Sequence, residues 1–141
     1  MRIAHLLWGL GTGGIENMLV DIVNQQVDGN DISLIVINDM LDSSIVNRLD
    51  KRIRIYCCHR NLKSKNPLPL LKLNYYLRKV RPEIVHVHYD KIARLVLGKW
   101  TMVRTIHNTT NNFAESRYFK ACYAISKAVE DEWRQAGKRT V

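Results

Sequence analysis

At 141 residues, with 46% hydrophobic and 25% charged residues, the chain has the size and composition of one globular domain. No apolar run approaches the roughly 18–20 residues that a membrane-spanning helix needs. Three cysteines without a CxxC pair argue against a disulfide framework or zinc ribbon and indicate a reducing, cytoplasmic compartment. The net charge of +9 favours phosphorylated or polyanionic ligands, with a solubilising surface as the alternative. Nucleic acid is disfavoured because the basic residues are dispersed and no known nucleic-acid-binding signature occurs.

Short apolar runs alternate with longer amphipathic ones along the chain. Strands are predicted at 2–8, 32–37, 53–57, 84–88, 102–107 and 121–125. Helices are predicted near 15–27, 44–50, 68–80, 90–99, 113–119 and 126–136. Short apolar strands separated by helices predict an α/β domain with a mainly parallel sheet covered on both faces.

Several helix boundaries are marked by single residues. Ser126 is a good N-cap and Gly137 a good C-terminal stop for the last helix, and Arg81-Pro82 ends the helix before Ile84. Residues 138–141 resemble the opening of a further strand. This pattern predicts a fragment of a longer protein, or a chain cut at a domain boundary.

Four of the seven glycines follow the first strand, at positions 9, 11, 13 and 14. Glycine permits positive φ and lets a ligand approach the backbone without a Cβ in the way. The helix that begins behind these glycines supplies unpaired N–H donors and a partial positive charge. The sequence therefore predicts an anion site near residues 11–15.

Polar residues stand at the carboxyl ends of later strands, where ligands bind in open α/β sheets. His107 closes the fifth strand before a polar loop, and a site role is favoured for it over a strand cap. His5 and His86 are interpreted as structural residues. For His88, nearer the strand end, a structural role is favoured over a role in the site. Asp90 is interpreted as the cap of the following helix. His86 and His88 share a strand face, but no cysteine or carboxylate cluster completes a metal site with them.

The glycines also satisfy the pattern G-x-G-x-x-G, and Asp39 follows the second strand where a ribose-binding acid would lie. A domain that binds NAD(P) or another nucleotide is therefore an alternative. It requires Asp39 to face a ribose and the first helix to begin tightly against Gly11. Glu16 in the first helical turn suits the helix dipole but would repel a pyrophosphate unless it pointed aside.

Taken together, four stretches resemble the N-terminal half of a GT-B glycosyltransferase of the retaining family 4. These are Gly13-Gly14-Ile15-Glu16, residues 81–88, residues 105–109 and residues 124–129. Their order and spacing extend over nearly the whole chain. The resemblance implies a Rossmann-like three-layer domain that binds the acceptor of a hexosyltransferase, as in polysaccharide biosynthesis.

The resemblance also implies roles for individual residues. The loop of Thr12, Gly13 and Gly14 would approach the diphosphate of a nucleotide-sugar donor, and His107 would contact the transferred sugar as the catalytic residue. Glu16 and Asn108 would face a glycan or lipid-linked acceptor. No metal or other cofactor is implied, because backbone donors would stabilise the leaving diphosphate.

The family's second domain, which holds most donor contacts, is missing from the 141 residues. We therefore expect the chain alone to be inactive and to bind nucleotide-sugar weakly. Residues 60–79 combine basic side chains with leucines and tyrosines, which permits a peripheral contact with the inner face of a membrane. A core-facing helix with a solvated basic side is the favoured interpretation of that segment.

Overall fold

The computed structural model describes residues 1–109, 113–138 and 140–141. Its centre is a six-stranded sheet in the order β3-β2-β1-β4-β5-β6, and every pair of neighbouring strands is parallel. The strands are β1 (Arg2–Leu7), β2 (Asp31–Asn38), β3 (Arg54–Arg60), β4 (Ile84–Val87), β5 (Met102–Ile106) and β6 (Ala121–Ala124). The predicted α/β class with a parallel sheet is confirmed.

Helical segments connect the strands, as parallel pairing requires. They are α1 (Gly14–Gln26), α2 (Ser43–Val46), α3 (Leu68–Val80) and α4 (Lys127–Gln135), with 3-10 turns at Asp90–Leu95 and Phe113–Tyr118. Among the described residues, every helix is too short or too polar to span a lipid bilayer.

Alternating strand residues divide the core between the two faces of the sheet. Leu7 and Leu34 pack with Leu19 and Val23 of α1, while Leu6 packs with α3 on the opposite face. Both sides of each central strand are therefore covered by apolar side chains. This accounts for the nearly continuous apolar runs of the sequence.

The helix boundaries follow the local signals. Ser126 caps α4 by accepting a hydrogen bond from the Val129 amide at 3.4 Å, and Gly137 follows the helix with φ of 70°. Arg81 ends α3 in the left-handed conformation with φ of 50°, directly before Pro82. These three predictions are confirmed, whereas Arg139 of the predicted further strand lies outside the described residues.

The predicted helix at 90–99 is instead a short 3-10 turn. Asn74, which is buried on α3, donates from Nδ2 to the Leu95 carbonyl at 3.0 Å and accepts from the Leu97 amide at 2.7 Å. These bonds take the backbone groups that would continue a helix. The helices predicted at 113–119 and 44–50 are likewise a 3-10 turn and a single turn.

The topology places β1 beside β4 at the centre of the sheet, and successive connections leave this pair in opposite directions. At the amino ends of the two strands, the Arg2 amide donates to the Glu83 carboxylate at 2.8 Å and Arg2 Nε donates to the Arg81 carbonyl at 2.7 Å. At their carboxyl ends the strands diverge into the glycine loop and residues 88–90. In open α/β sheets this position is the expected place for a ligand.

Candidate functional site: a cleft beyond β1, β4 and β5

A cleft of about 130 Å³ lies beyond the carboxyl ends of β4 and β5 and against the first turn of α1. Three segments far apart in sequence form it. Its lining residues are Ile15, His88, Tyr89, Asp90, Arg104, His107 and Asn108. The structure therefore brings His107 and Asn108 to the start of α1.

His107 is half-buried at the end of β5 and lies against the side chain of His88. The distance between His107 Nε2 and His88 Nδ1 is 3.3 Å, and the two rings are stacked. Burial, followed by the positive charge of Arg104, lowers the pKa of His107 to about 4. The imidazole is therefore neutral near pH 7, with one donor and one acceptor nitrogen.

Glu16 reaches the cleft through Tyr89, whose hydroxyl donates to Glu16 Oε1 at 3.0 Å. Burial, followed by the charge of this carboxylate, raises the pKa of Tyr89 to about 12. The other carboxylate oxygen lies against Gly13, where a Cβ would collide with it. Glu16 thus occupies space over the glycine loop while its hydrogen bond directs it toward Tyr89.

Thr12, Gly13 and Gly14 are exposed and immediately precede Ile15, which lines the cleft. Asn17 Nδ2 fixes their backbone by donating to the Gly13 carbonyl at 2.9 Å. The loop does not use the positive φ that glycine permits, because the two described glycines with positive φ are Gly98 and Gly137. What glycine provides here is space: a Cβ at Gly14 would meet nothing within 4 Å.

These contacts predict opposite outcomes for two neighbouring substitutions. Gly13→Ala should displace the Glu16 carboxylate, break its bond to Tyr89 and lower the free energy of unfolding by about 1 kcal/mol. Gly14→Ala should leave that free energy unchanged or raise it by about 0.5 kcal/mol, because alanine is the better helix former.

Urea unfolding of both variants tests this difference. In a double-mutant cycle, Gly13→Ala and Tyr89→Phe should be strongly non-additive because both remove the same hydrogen bond. Additive costs would show that Gly13 acts by some other route.

Sequence reasoning missed Tyr89 and Arg104 as cleft residues. Arg104 is 5% exposed, with its guanidinium 5.8 Å from the Trp133 ring and 5.9 Å from the Phe119 ring. A lone arginine in the apolar strand Met102–Ile106 was the available signal. Tyr89 gave no comparable signal, since its partner Glu16 lies 73 positions earlier.

The buried histidines form a connected cluster behind the cleft. His5 Nδ1 lies 3.0 Å from His88 Nε2, and His86 Nε2 lies 2.8 Å from the Thr105 hydroxyl. His5, His86 and His88 place one ring nitrogen each within 4.8 Å of one another, a spacing that a shared metal ion would require. Hydrogen bonds already use both ring nitrogens of His5 and His88, so these residues form a hydrogen-bonded cluster.

Asp39 lies away from this cleft, beside a separate cavity of about 350 Å³ at the ends of β2 and β3. Its carboxylate pairs with His59 Nδ1 at 2.9 Å, and Cys57 brings a third potential metal ligand within 4.8 Å of both. The Met40 side chain, next to Asp39 in sequence, packs against Gly9, where a Cβ would lie 3.0 Å from the Met40 sulfur. Since α1 begins at Gly14 rather than against Gly11, the second requirement of the dinucleotide alternative is not met, and Asp39 is bonded to His59 outside the cleft that contains His107.

Neither protein-family models nor curated proteins match this sequence. Among solved structures, the chain is similar over 99% of its length to Anabaena Alr3699/HepE in complex with UDP, with a TM-score of 0.67 and 17% identity. The similarity to the complex of the same protein with UDP and glucose has a TM-score of 0.69 at 17% identity.

The lipopolysaccharide outer core galactosyltransferase WaaB in its apo form gives the same TM-score of 0.69, with 17% identity over 99% of this chain. The chain spans 42% of the length of HepE and 43% of that of WaaB. At this level of identity the similarity concerns the fold. The chain has a Rossmann-like α/β fold that matches the N-terminal half of GT-B glycosyltransferases.

Proposed function

We propose that this chain is the acceptor-binding half of a retaining GT-B glycosyltransferase, which moves a sugar from a nucleotide-sugar donor to a glycan or lipid-linked acceptor. The observation that carries the proposal is the shared cleft of His107 and the first turn of α1, at the central crossover of the sheet. The fold shared with HepE and WaaB supports it, and those proteins are described as a UDP complex and a galactosyltransferase.

In this proposal His107 is the catalytic residue that contacts the transferred sugar. Because its imidazole is neutral near pH 7, it offers a hydrogen bond and not a positive charge. Transfer occurs on the front face of the donor, and the leaving phosphate assists deprotonation of the acceptor hydroxyl. Arg104 is buried beside His107, and its positive charge stabilises the diphosphate of the donor bound in the cleft.

The diphosphate approaches the exposed backbone of Thr12, Gly13 and Gly14, where the N-terminus of α1 attracts an anion. The open space beside Gly14 permits this approach, and the Glu16 carboxylate, which lies over Gly13 and is held by Tyr89, moves aside when the diphosphate binds. Glu16 and Asn108 then face the acceptor hydroxyl groups. No metal is required in this scheme.

Chemical-shift mapping of the ¹⁵N-labelled chain tests the proposal, with UDP-glucose, GDP-mannose, glucose and NAD⁺ as probes. We expect weak binding of a nucleotide-sugar, with shifts at Gly13, Gly14, Glu16, His107 and Asn108. His107→Ala should abolish the shifts at Asn108 and leave the sheet spectrum intact. Tight binding of NAD⁺ with shifts centred on Asp39 would instead identify a dinucleotide domain.

We further propose that the outer face of α3 contacts an anionic lipid surface. The inner face of α3 is buried in the core, yet Leu62, Leu68, Leu71 and Tyr75 are 56–63% exposed. The exposed basic residues Lys63, Lys65, Lys72 and Arg78 accompany them. Apolar side chains beside cations are the combination that binds the interface of an anionic membrane.

Co-sedimentation with phosphatidylglycerol vesicles measures this contact. Leu68→Ser and Leu71→Ser should each weaken vesicle binding about fivefold, and the chain should not sediment with phosphatidylcholine. Leu97→Ser, which changes an equally exposed leucine elsewhere, is the matched control. Binding that ignores both salt and lipid charge would contradict the proposal.

A further inference from the structure

A row of hydrogen-bonded side chains connects the end of α1 to the cleft. Gln26 Oε1 lies 2.9 Å from His5 Nε2, and His5 Nδ1 lies 3.0 Å from His88 Nε2. His88 Nδ1 in turn lies 3.3 Å from His107 Nε2. His86 stacks beside this row but bonds to Thr105, so it does not take part in it.

The row has only two internally consistent proton arrangements. Burial lowers the pKa of His5 to about 3, of His107 to about 4 and of His88 well below its usual value, so the three rings are neutral near pH 7. A neutral imidazole carries one N–H and one lone pair. Each ring that accepts a hydrogen bond on one side must therefore donate on the other, and one terminal group fixes all three tautomers.

Gln26 is that terminal group. A carboxamide oxygen only accepts, so His5 donates from Nε2 and accepts at Nδ1. His88 then donates from Nε2 to His5 and accepts at Nδ1, where His107 donates from Nε2. The remaining nitrogen of His107, Nδ1, keeps a lone pair and has no protein partner within the described part of the chain.

We propose that Gln26 is a positioning residue which, through His5 and His88, holds His107 as the Nε2–H tautomer and makes Nδ1 a hydrogen-bond acceptor in the cleft. The ligand atom opposite Nδ1 is then a donor. A hydroxyl group is accepted at this position, whereas a carbonyl or phosphate oxygen is rejected because two acceptors would face each other. The identification of that hydroxyl as a sugar's rests on the proposed function; the tautomer does not.

Replacing the acceptor at position 26 by a donor should reverse the direction of every hydrogen bond in the row. Lysine at position 26 can only donate, so His5 would accept at Nε2 and donate from Nδ1, and His88 and His107 would follow. Gln26→Lys therefore switches His107 from the Nε2–H to the Nδ1–H form. Gln25→Lys adds the same charge one residue earlier, at an exposed position outside the row, and is the matched control.

The experiment is a two-dimensional ¹H–¹⁵N spectrum tuned to the long-range couplings of histidine rings, recorded near pH 7.5 on the 141-residue chain without ligand. This spectrum identifies which nitrogen of each ring carries the proton. We expect the Nε2–H form of His5, His88 and His107 in the native chain and in Gln25→Lys. In Gln26→Lys we expect loss of the Nε2–H signals of all three rings and appearance of Nδ1–H signals.

Two results would overturn the proposal. One is an Nδ1–H form of His107 in the native chain, which would mean that the row runs in the opposite direction. The other is a His107 tautomer unchanged by Gln26→Lys in a variant whose amide spectrum shows the native fold, since position 26 would then not control it. Neither result depends on sugar binding, so a failure here is separable from a failure of the proposed function.

Discussion

Acidification from pH 7 to about pH 5 should lower the free energy of unfolding of this domain by several kcal/mol. Burial keeps His5 and His88 neutral in the folded state, and it lowers the pKa of His86 and His107 to about 4. In the unfolded chain each of these residues returns to a pKa near 6.5. The unfolded state therefore binds more protons below pH 6.5, and the free energy of unfolding falls as pH falls.

Each histidine contributes a slope of about 0.7 kcal/mol per pH unit at pH 6.5, which rises to about 1.4 kcal/mol per pH unit where its unfolded form is fully protonated. Four such residues acting together lower the free energy of unfolding by about 6 kcal/mol between pH 6.5 and 5, a large share of the stability of a typical domain. The slope ends below about pH 3–4, where the folded histidines also become protonated. Carboxyl groups titrate at about pH 4, below this window, so they contribute little to the slope of the free energy of unfolding between pH 5 and 6.5.

Urea unfolding at half-unit steps between about pH 5 and 7 measures the slope. His86→Gln keeps a hydrogen-bonding group near the Thr105 hydroxyl and should reduce the slope by about 1.4 kcal/mol per pH unit. The native chain, measured at the same pH values and urea concentrations, is the reference. A stability that is flat between pH 5 and 7 would contradict this account of the histidines.

Trp133→Ala is the single substitution expected to cost most, about 3–5 kcal/mol in the free energy of unfolding. The Trp133 side chain is 1% exposed and meets the edge of Phe113 with ring centroids 5.3 Å apart. It also lies under the buried guanidinium of Arg104. Alanine would leave a cavity and would remove the aromatic face that shelters a charge beside the cleft.

Trp133→Phe should cost clearly less, roughly 1–2 kcal/mol, because an aromatic ring still fills most of the space. The indole N–H of Trp133 has no hydrogen-bond partner among the described residues, so replacing the indole by phenylalanine breaks no hydrogen bond. Urea titration followed by circular dichroism compares the two variants. Equal costs for alanine and phenylalanine would show that cavity volume is not the deciding factor.

The strands of this domain were predictable because buried parallel strands are apolar, short and bounded by clear signals. All six appear within a few residues of their predicted ranges. The segment 90–99 was not predictable in the same way, because Asn74, a residue of another helix, ends its turn. Local patterns carry no information about such a partner.

Some residues of the candidate site were predictable from local sequence, and others were not. His107 and Asn108 could be chosen from their position at a strand end, and both line the cleft. Tyr89 could not be chosen, because its role depends on a carboxylate brought next to it by the fold. The position of His5 in the sequence indicates only a structural role, whereas its bonds to His88 and Gln26 depend on residues that the fold brings next to it.

The clasp at the amino ends of β1 and β4 limits how the cleft can open. Arg2 bonds there to both Glu83 and the Arg81 carbonyl, so the two strands are pinned at the end opposite the ligand. At the other end, the last ladder bond is the longer one from the His88 amide to the Leu6 carbonyl, at 3.2 Å. We therefore expect any separation of β1 from β4 to begin at their carboxyl ends, next to the cleft.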